Sequence, residues 1–369
     1  MKKILIRISS IILIVSLLIA LALTAFAGSD AFAQDAYVNI VTFSDCQQYG
    51  TGAYKNFGNV LKVMKDDGMP QPDSLLMGGD YTKILFDYAT PGMIQLREHY
   101  VNTYPQGDPD DIICIQGNHD QKVAGFYPTG MYDMGTYQLF VMNEDDFPWK
   151  QSKSSKKEDI VKATAEKLDA ALSSMISADD LRPVIILTHV PLHHTTRNSA
   201  GDNMYASYIF NVLNKAAEKL DIIFIFGHNH SGTHDDYIGG SVNYMAPGDS
   251  IRIPLPDKTG EDCYTNETLN FTYTNCGYIG YAENSETDTS TNVLTLGAIR
   301  FFADKFVILK YTKDGLFRED TVERINPADE SEMQAATGAK NMQRNNQSLW
   351  EFELSFFGPI IRFFINLFA

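Results

Sequence analysis

Short apolar runs that each end in a polar cluster constrain this chain more than any other feature. Five such runs lie between residues 37 and 226, at Tyr37 to Ser44, Ser74 to Met77, Asp111 to Ile115, Pro183 to Leu187 and Ile222 to Phe226. Their length and their Val and Ile content predict buried β-strands. Because open α/β sheets collect polar chemistry at the carboxyl ends of their strands, we expect the polar residues after these runs to meet in one site.

Helical periodicity separates several of these strands. Phe57, Val60, Leu61 and Met64 recur at the spacing of a helix with one buried face, and Lys156 to Ser174 predicts a further helix. After residue 236 the pattern changes to strands separated by turns, at Tyr237 to Ala246, Leu269 to Tyr273, Val293 to Phe302 and Phe306 to Tyr311. The order predicts an α/β domain that finishes in a β meander.

One aromatic segment, Gln121 to Lys150, does not follow this rhythm. It holds Phe, Tyr and Trp residues among Gly and Pro. Two interpretations stay open: a loop that packs its own aromatic side chains, or a loop that contacts a substrate.

The first 33 residues have the layout of a secretory signal peptide. A basic beginning precedes the apolar run Ile11 to Ala27, and small-residue cleavage motifs stand at Ala25-Phe26-Ala27 and Ala31-Phe32-Ala33. We therefore predict a leader over residues 1–33 and a secreted or cell-surface protein. The alternative is a retained membrane anchor, because the apolar run approaches the length of a spanning helix.

The remaining chain divides into three parts. Residues 34–325 are the predicted folded domain, residues 326–348 a polar linker, and residues 349–369 an apolar, amphipathic tail rich in Phe. Charged residues and Pro359 interrupt the tail, so it is too short to span a membrane. Such a tail would make peripheral contact with a membrane or a partner, or fold back onto the domain.

Charge limits the partners of this chain. The formal net charge of −16 repels nucleic-acid backbones, so we expect no binding to duplex nucleic acid. A phosphorylated ligand would need local positive charge, and bound metal ions are the obvious source. The four cysteines, Cys46, Cys114, Cys263 and Cys276, could pair in an exported protein as 46–114 or 263–276, or remain small buried residues.

The polar clusters after the five runs supply metal-ligand chemistry. They contain Asp45 and Gln47, Asp80, the stretch Gly117-Asn118-His119-Asp120, His189, and finally His228 and His230. Carboxylate, amide and imidazole groups of this kind suit Mn, Fe or Zn ions. There are too many donors for one ion, and their number suits two ions that share a carboxylate.

These motifs resemble the calcineurin-like metallophosphoesterases, in a secreted bacterial form. The resemblance covers Asp45 to His230 and is most specific at Gly-Asn-His-Asp and Gly-His-x-His. It implies a four-layer α-β-β-α sandwich with two central mixed sheets flanked by helices. It also implies two divalent metal ions between the sheet edges.

Residue roles follow from the resemblance, motif by motif. The first ion would take Asp45, Gln47, Asp80 and His230, and the second would take Asp80, Asn118, His189 and His228. A hydroxide held between the ions would attack a phosphomonoester or phosphodiester. His119 would act as the general acid, with Asp120 orienting it.

Two departures from the family pattern bear on the metals. Gln47 stands where many members have His, so an oxygen-rich first site should favour Mn-like ions. Lys83 stands where purple acid phosphatases have an iron-binding Tyr, so that iron site is not expected. His193, His194, His234 and Arg197 could contact a substrate or lie in solvated loops.

The expected function is that of an exported metal-dependent phosphoric ester hydrolase. Its substrate would be a phosphorylated small molecule, a nucleotide or a lipid head group. A non-catalytic cell-surface binding protein that keeps the same fold is the alternative, suggested by Gln47, the aromatic segment and the apolar tail.

Overall fold

Two six-stranded mixed sheets form the centre of the structure. The computed structural model describes residues 32, 36–46, 52–81, 89–148, 155–192, 204–228, 244–256, 264–280 and 294–328. In chain order the strands are β1 (Val38–Phe43), β2 (Ser74–Met77), β3 (Ile112–Cys114), β4 (Gly130–Asp133), β5 (Gln138–Met142), β6 (Val184–Thr188), β7 (Ile222–Phe226), β8 (Tyr244–Met245), β9 (Ser250–Pro254), β10 (Tyr264–Thr268), β11 (Thr272–Asn275), β12 (Leu296–Phe301), β13 (Lys305–Thr312) and β14 (Gly315–Glu323). The helices are α1 (Gly52–Asp66), α2 (Ala89–Thr103), α3 (Ser155–Ser177) and α4 (Ala206–Ala216), with a 3₁₀ turn at Pro109–Asp111.

Parallel strands lie at the core of each sheet. The first sheet has the order β14-β13-β12-β1-β2-β3, and the second has the order β4-β5-β6-β7-β11-β8. Strands β1, β2 and β3 are parallel, as are β5, β6, β7 and β11. Strands β9 and β10 form a separate antiparallel pair. The parallel strands therefore place their carboxyl ends along one edge of each sheet.

Three apolar cores separate four layers. Helices α1 and α2 pack on the outer face of the first sheet through residues such as Phe57 and Leu96. Helices α3 and α4 cover the outer face of the second sheet, where Leu168 and Leu213 are buried. Between the sheets, alternate residues of both, such as Ile40, form the third core. The predicted α-β-β-α sandwich is confirmed.

The parallel strands are the elements that the sequence predicts best. β2 and β7 have the expected bounds, and β1, β3 and β6 differ by one or two residues at their ends. Every residue of β6 and β7 is buried, because helices cover one face of the second sheet and the first sheet covers the other. A strand buried on both faces reads as a continuous apolar run.

The aromatic segment is not the predicted loop. It contains β4 and β5, and β5 pairs with β6 in the second sheet. Tyr137, Phe140 and Phe147 are buried in the cores, so packing accounts for much of its aromatic content. Gly and Pro between the aromatics conceal the strand pattern.

The carboxyl-terminal meander also differs in detail. The strand expected over Leu269 to Tyr273 is β11 and begins three residues later, while β9, β10 and β14 are additional. β14 follows a tight turn at Lys313 and Asp314 and pairs with β13. It is an edge strand with a mostly polar, partly exposed sequence, so hydrophobic alternation does not reveal it.

The domain extends beyond both predicted boundaries. Phe32, inside the predicted leader, stacks on Tyr311 with ring centroids 5.7 Å apart and lies under the Arg300 guanidinium. At the other end, the backbone N–H groups of Ile325 and Asn326 both donate to the Asp221 carboxylate. The folded unit therefore includes residue 32 and residues 326–328.

Among the described residues, no helix combines the length and apolar character that a membrane crossing requires. The predicted leader (apart from Phe32) and the tail over residues 349–369 lie outside the described residues.

Candidate metal centre

Polar residues from strands of both sheets converge at one point. Asp45, Asp80 and Asn118 come after β1, β2 and β3 of the first sheet, and His189 and His228 come after β6 and β7 of the second. Asp45, Asp80 and His189 each present a ligand atom within 4.8 Å of the others. The expected meeting of these strand ends is therefore present for the five residues that the structure describes.

The backbone at this point is strained. Asp45, Asp80 and His228 have φ values of 57°, 61° and 69°, in the left-handed region that residues with a Cβ rarely adopt. In the described part of the chain, only Asp179 shares this property among non-glycine residues. Each such residue costs on the order of 1 kcal/mol, and strain of this kind collects at functional sites.

Asp45 is held by both sheets. Its Oδ2 atom lies 2.5 Å from the Ser44 hydroxyl and accepts the backbone N–H of His228 at 2.9 Å. Asp45 is fully buried, with an exposed fraction of 0%. The carboxylate thus connects the end of β1 to the end of β7.

Four potential ligand atoms lie close to one another beside Asp45. The Asn118 Oδ1 atom lies 2.9 Å from His189 Nε2 and 2.8 Å from His228 Nδ1. His228 Nδ1 and His189 Nε2 are 3.2 Å apart, and His189 Nε2 lies 3.3 Å from Asp80 Oδ2. We call these four residues, Asp80, Asn118, His189 and His228, the donor quartet.

The separations in the donor quartet fit a shared metal ion. Bonds of about 2.0–2.1 Å at angles of 90–110° leave neighbouring donor atoms about 2.8–3.5 Å apart. All four measured separations fall in that range. The quartet combines one carboxylate, one amide oxygen and two imidazoles, which suits Mn, Fe or Zn.

His189 is oriented for ligation by the first sheet. Its Nδ1 atom lies 2.8 Å from the Gly78 carbonyl oxygen and would donate its hydrogen there. This arrangement directs Nε2 towards the rest of the quartet. The carbonyl therefore selects the ring orientation that a ligand needs.

The pKa values of this cluster reflect its buried charges. Burial favours the neutral form of Asp80, but His189 and then His119 hold the pKa of Asp80 below its usual range. Burial would lower the pKa of His189, yet the Asp80 carboxylate raises it to about 10. A cation is therefore favoured at this position, and a metal ion that binds there must displace the His189 proton.

Gly117 allows Asp80 to approach the third strand end. A Cβ at residue 117 would overlap the Asp80 carboxylate, so no side chain fits. The next residues then place the His119 backbone N–H 2.9 Å from Asp80 Oδ1. Close approach, and not the turn itself, is what requires glycine here.

Asp120 contacts backbone donors in the structure, whereas the family resemblance implies that it orients His119. Its carboxylate accepts three backbone N–H groups, from Asp80 at 2.7 Å, Tyr81 at 2.9 Å and Gly117 at 2.8 Å. Within the described residues no hydrogen bond joins it to the imidazole of His119, which is exposed. Asp120 therefore ties the Asp80 loop to the Gly117 loop.

The environment of Asp120 is costly for a charge. Burial and the nearby Asp80 carboxylate raise the pKa of Asp120 to about 7, although its three backbone donors favour the ionised form.

Sequence reasoning missed a supporting loop after β11. The Ser44 hydroxyl lies 2.8 Å from the Gly277 carbonyl oxygen, and Thr42 Oγ1 donates to the Cys276 carbonyl at 2.7 Å. The ammonium group of Lys310, a buried lysine of β13, donates to the Asn275 carbonyl. These contacts brace the end of β1 from a distant part of the sequence, and only the Gly277 and Gly280 glycines hint at them.

Several predicted site residues lie outside the described part of the chain. They are Gln47, His230, Lys83, His193, His194, Arg197 and His234. The predicted first-ion site is thus represented here by Asp45 and Asp80 alone.

Three cysteines are free thiols in the folded domain. Cys46, Cys114 and Cys276 are buried free thiols, so the proposed disulfide 46–114 is not formed; Cys263, of the proposed pair 263–276, lies outside the described residues. Burial raises the pKa of each thiol, which keeps it protonated and unreactive.

The four-layer fold and the donors at its strand ends define a candidate metalloprotein of the α/β class. The family model for calcineurin-like phosphoesterases matches residues 38–232, more than half of the chain. The chain therefore belongs to the calcineurin-like phosphoesterase family. This family uses a dinuclear divalent metal centre.

Solved structures with a similar fold are distant in sequence. A dimetal phosphatase from Danio rerio is 10% identical, with a TM-score of 0.43 and coverage of 79% of this chain and 100% of that one. GAP50, the anchor in the inner membrane complex of Plasmodium, is 11% identical, with a TM-score of 0.45 and coverage of 82% and 94%. A predicted phosphoesterase from Streptococcus pneumoniae is 11% identical, with a TM-score of 0.33 and coverage of 78% and 98%. No curated protein matches the sequence.

Proposed function

We propose that the protein is an exported hydrolase of phosphoric esters that works with two divalent metal ions. The observation that carries this proposal is the donor quartet, in which residues of both sheets present four ligand atoms at separations suited to one ion. Family membership supports the same reaction class.

The two ions would be held by overlapping sets of residues. We assign the second ion to the donor quartet, and the first to Asp45, Gln47, Asp80 and His230. Asp80 is the shared ligand in this assignment, because its carboxylate lies within 4.8 Å of ligand atoms of both Asp45 and His189. Gln47 makes the first set richer in oxygen, so Mn-like ions should be favoured there over zinc.

When bound, the ions supply an activated water and neutralise charge on the phosphoryl oxygens. The residues of the chain hold the ligand side chains in position and supply a proton to the leaving oxygen. Gly78 and Ser44 hold His189 and Asp45 in place, and the His119 backbone positions Asp80. The exposed imidazole of His119 would donate a proton to the leaving oxygen.

Leaving groups of different basicity test the role of His119. General acid catalysis is worth about 10²–10⁴-fold, and it matters most when the leaving oxygen is basic. His119→Ala should therefore slow hydrolysis of an alkyl phosphate ester by about 10²-fold or more and affect a nitrophenyl ester much less. Metal content should be unchanged. Equal losses on both esters would remove the acid role, and His99→Ala, a histidine of α2, is the control.

The substrate class needs a separate experiment. We propose a phosphorylated small molecule, a nucleotide or a lipid head group, as monoester or diester. Rates on paired chromogenic monoesters and diesters, with Mn, Zn, Mg and Fe supplied separately, would distinguish these. A chain that binds two ions but cleaves no ester would instead fit the non-catalytic binding protein.

A further inference from the structure

A cavity lies at the end of the second sheet that is opposite to the donor quartet. Its volume is about 480 Å³, and its walls include Ile222 and Thr272, the first residues of β7 and β11. Strands rise about 3.3 Å per residue, so the six steps from Ile222 to His228 put the cavity about 20 Å from the metal centre. The cavity is therefore separate from the candidate active site.

The cavity is mostly apolar, with one unsatisfied polar atom. Leu220, Leu269, Phe271 and Phe306 contribute to its wall. The Thr272 side chain is 1% exposed, and within the described residues its hydroxyl has no hydrogen-bond partner. A buried hydroxyl without a partner costs about 1–3 kcal/mol, so an occupant that offers a backbone amide or carbonyl would relieve it.

The lining of the cavity includes both an exposed apolar side chain and acidic residues. Ile325 lines it with 56% of its surface exposed, and among the described residues only Phe317 is a comparably exposed large hydrophobic. Glu218 and Glu323 also line the cavity. The rim thus suits an apolar segment that carries a positive charge.

The described chain ends three residues after Ile325, a residue of the cavity lining. The Asp221 carboxylate accepts the backbone N–H groups of Ile325 and Asn326, and the backbone N–H of Ala328 then donates to the Ala303 carbonyl. Residues 329–369 follow in the sequence, and residues 349–369 are the apolar tail. The charged side chains of that tail are Glu351 and Glu353 near its start and Arg362, which stands between Ile361 and Phe363.

We propose that the tail, residues 349–369, docks into this cavity in its own chain. A flexible chain the length of residues 329–348 spans on the order of 25 Å, so the tail stays near the rim. Short flexible connections give effective concentrations in the millimolar range. A tail that binds the cavity with a Kd of about 0.1 mM would therefore be docked in most molecules. Tail aromatics fill the apolar wall, and Arg362 lies near Glu218 and Glu323.

Tryptophan fluorescence tests this directly. The sequence has two Trp residues, so Trp149→Phe leaves Trp350 in the tail as the only reporter. In this variant of the purified, processed chain, we expect Trp350 to be shielded from acrylamide without any added partner. Ile325→Lys removes the exposed apolar contact and puts a positive charge near Arg362, so it should weaken docking by about tenfold or more, which exposes Trp350.

Two matched variants separate docking from general effects. Phe317→Lys makes the same change at the other exposed hydrophobic and should leave Trp350 shielded. Thr272→Val removes the unpaired hydroxyl without changing its volume much, so it should loosen the tail while leaving the fold as stable or more stable. If Trp350 stays equally shielded in both Ile325→Lys and Thr272→Val, the proposal is overturned.

Other occupants of the cavity give distinct results. Shielding of Trp350 that rises with protein concentration would mean that the tail docks into a second copy. Shielding that appears only with phosphatidylglycerol vesicles would mean that the tail binds a membrane surface. Either result contradicts docking within one chain.

Discussion

Replacing Asp120 with asparagine is the most informative single change near the metal centre. The carboxylate accepts N–H groups from Asp80 and Gly117 on Oδ2 and from Tyr81 on Oδ1. Asparagine keeps one carbonyl oxygen, so it can retain two of these bonds without the charge. Its NH₂ group must then face the third N–H.

The expected cost follows from those contacts. A lost bond that leaves a buried donor unpaired costs about 1–3 kcal/mol, and removing the charge weakens the other two bonds. Asp120→Asn should therefore lower the free energy of unfolding by about 2–4 kcal/mol. It should also weaken metal binding, because the Asp80 loop and the Gly117 loop are no longer tied together.

The assay is urea unfolding of the metal-free protein, with activity measured in parallel. Asp221→Asn is the control, since it also removes a buried carboxylate that accepts two backbone N–H groups, together with an ion pair to Arg324, yet lies far from the site. The control should lose stability but keep its metal affinity.

A double-mutant cycle decides between the two roles of Asp120. If Asp120 acts on the backbone, Asp120→Asn lowers stability and metal affinity equally in the parent and in His119→Ala. If it orients His119, its effect on turnover disappears once His119 is gone. The backbone role would be refuted if Asp120→Asn left stability unchanged and had no effect on turnover in the His119→Ala background.

Three further results are expected. Gly117→Ala should abolish metal binding by the donor quartet, measured by calorimetry, because a Cβ displaces the Asp80 carboxylate. Burial raises the pKa of Asp111 to about 6, so the folded state holds this proton more tightly than the unfolded chain. Stability should therefore fall as pH rises from about 4 to 6, and Asp111→Asn should make that slope shallower in urea titrations, with the raised pKa of Asp120 supplying the remainder. If the leader is removed, cleavage should follow Ala27 and not residue 33, because Phe32 packs on Tyr311. The intact mass of the mature protein identifies its first residue. Phe32→Ala should lower the melting temperature.

The sequence predicts the strands that carry the donors because those strands are buried on both faces. β6 and β7 are apolar throughout, so the point where each ends and a polar residue begins is visible in the sequence. Edge elements such as β14 and β4 lack this contrast. Their pairing depends on neighbours elsewhere in the chain.

The ligand types of the site can also be predicted, but their support cannot. His189 and His228 follow strand ends and so read as candidate ligands. The contacts from Ser44 to Gly277 and from Thr42 to Cys276 join residues more than 200 positions apart. Such contacts depend on how the two sheets pack, which local sequence patterns do not specify.

Asp120 shows the same limit at short range. Its neighbour in sequence is His119, and sequence alone suggests that the two side chains interact. The turn after β3 instead points the carboxylate back at three backbone donors. The backbone conformation decides the role, and residue identity does not reveal it.

Metal stoichiometry tests the central claim most directly. Elemental analysis of the purified chain, loaded with Mn and freed of excess metal, should give two ions per chain. Because Asp80 lies within reach of both Asp45 and His189, Asp80→Asn should lose both ions. Asn118→Ala should lose chiefly the second. One ion or none in the parent chain, or two ions retained by Asp80→Asn, would contradict this account.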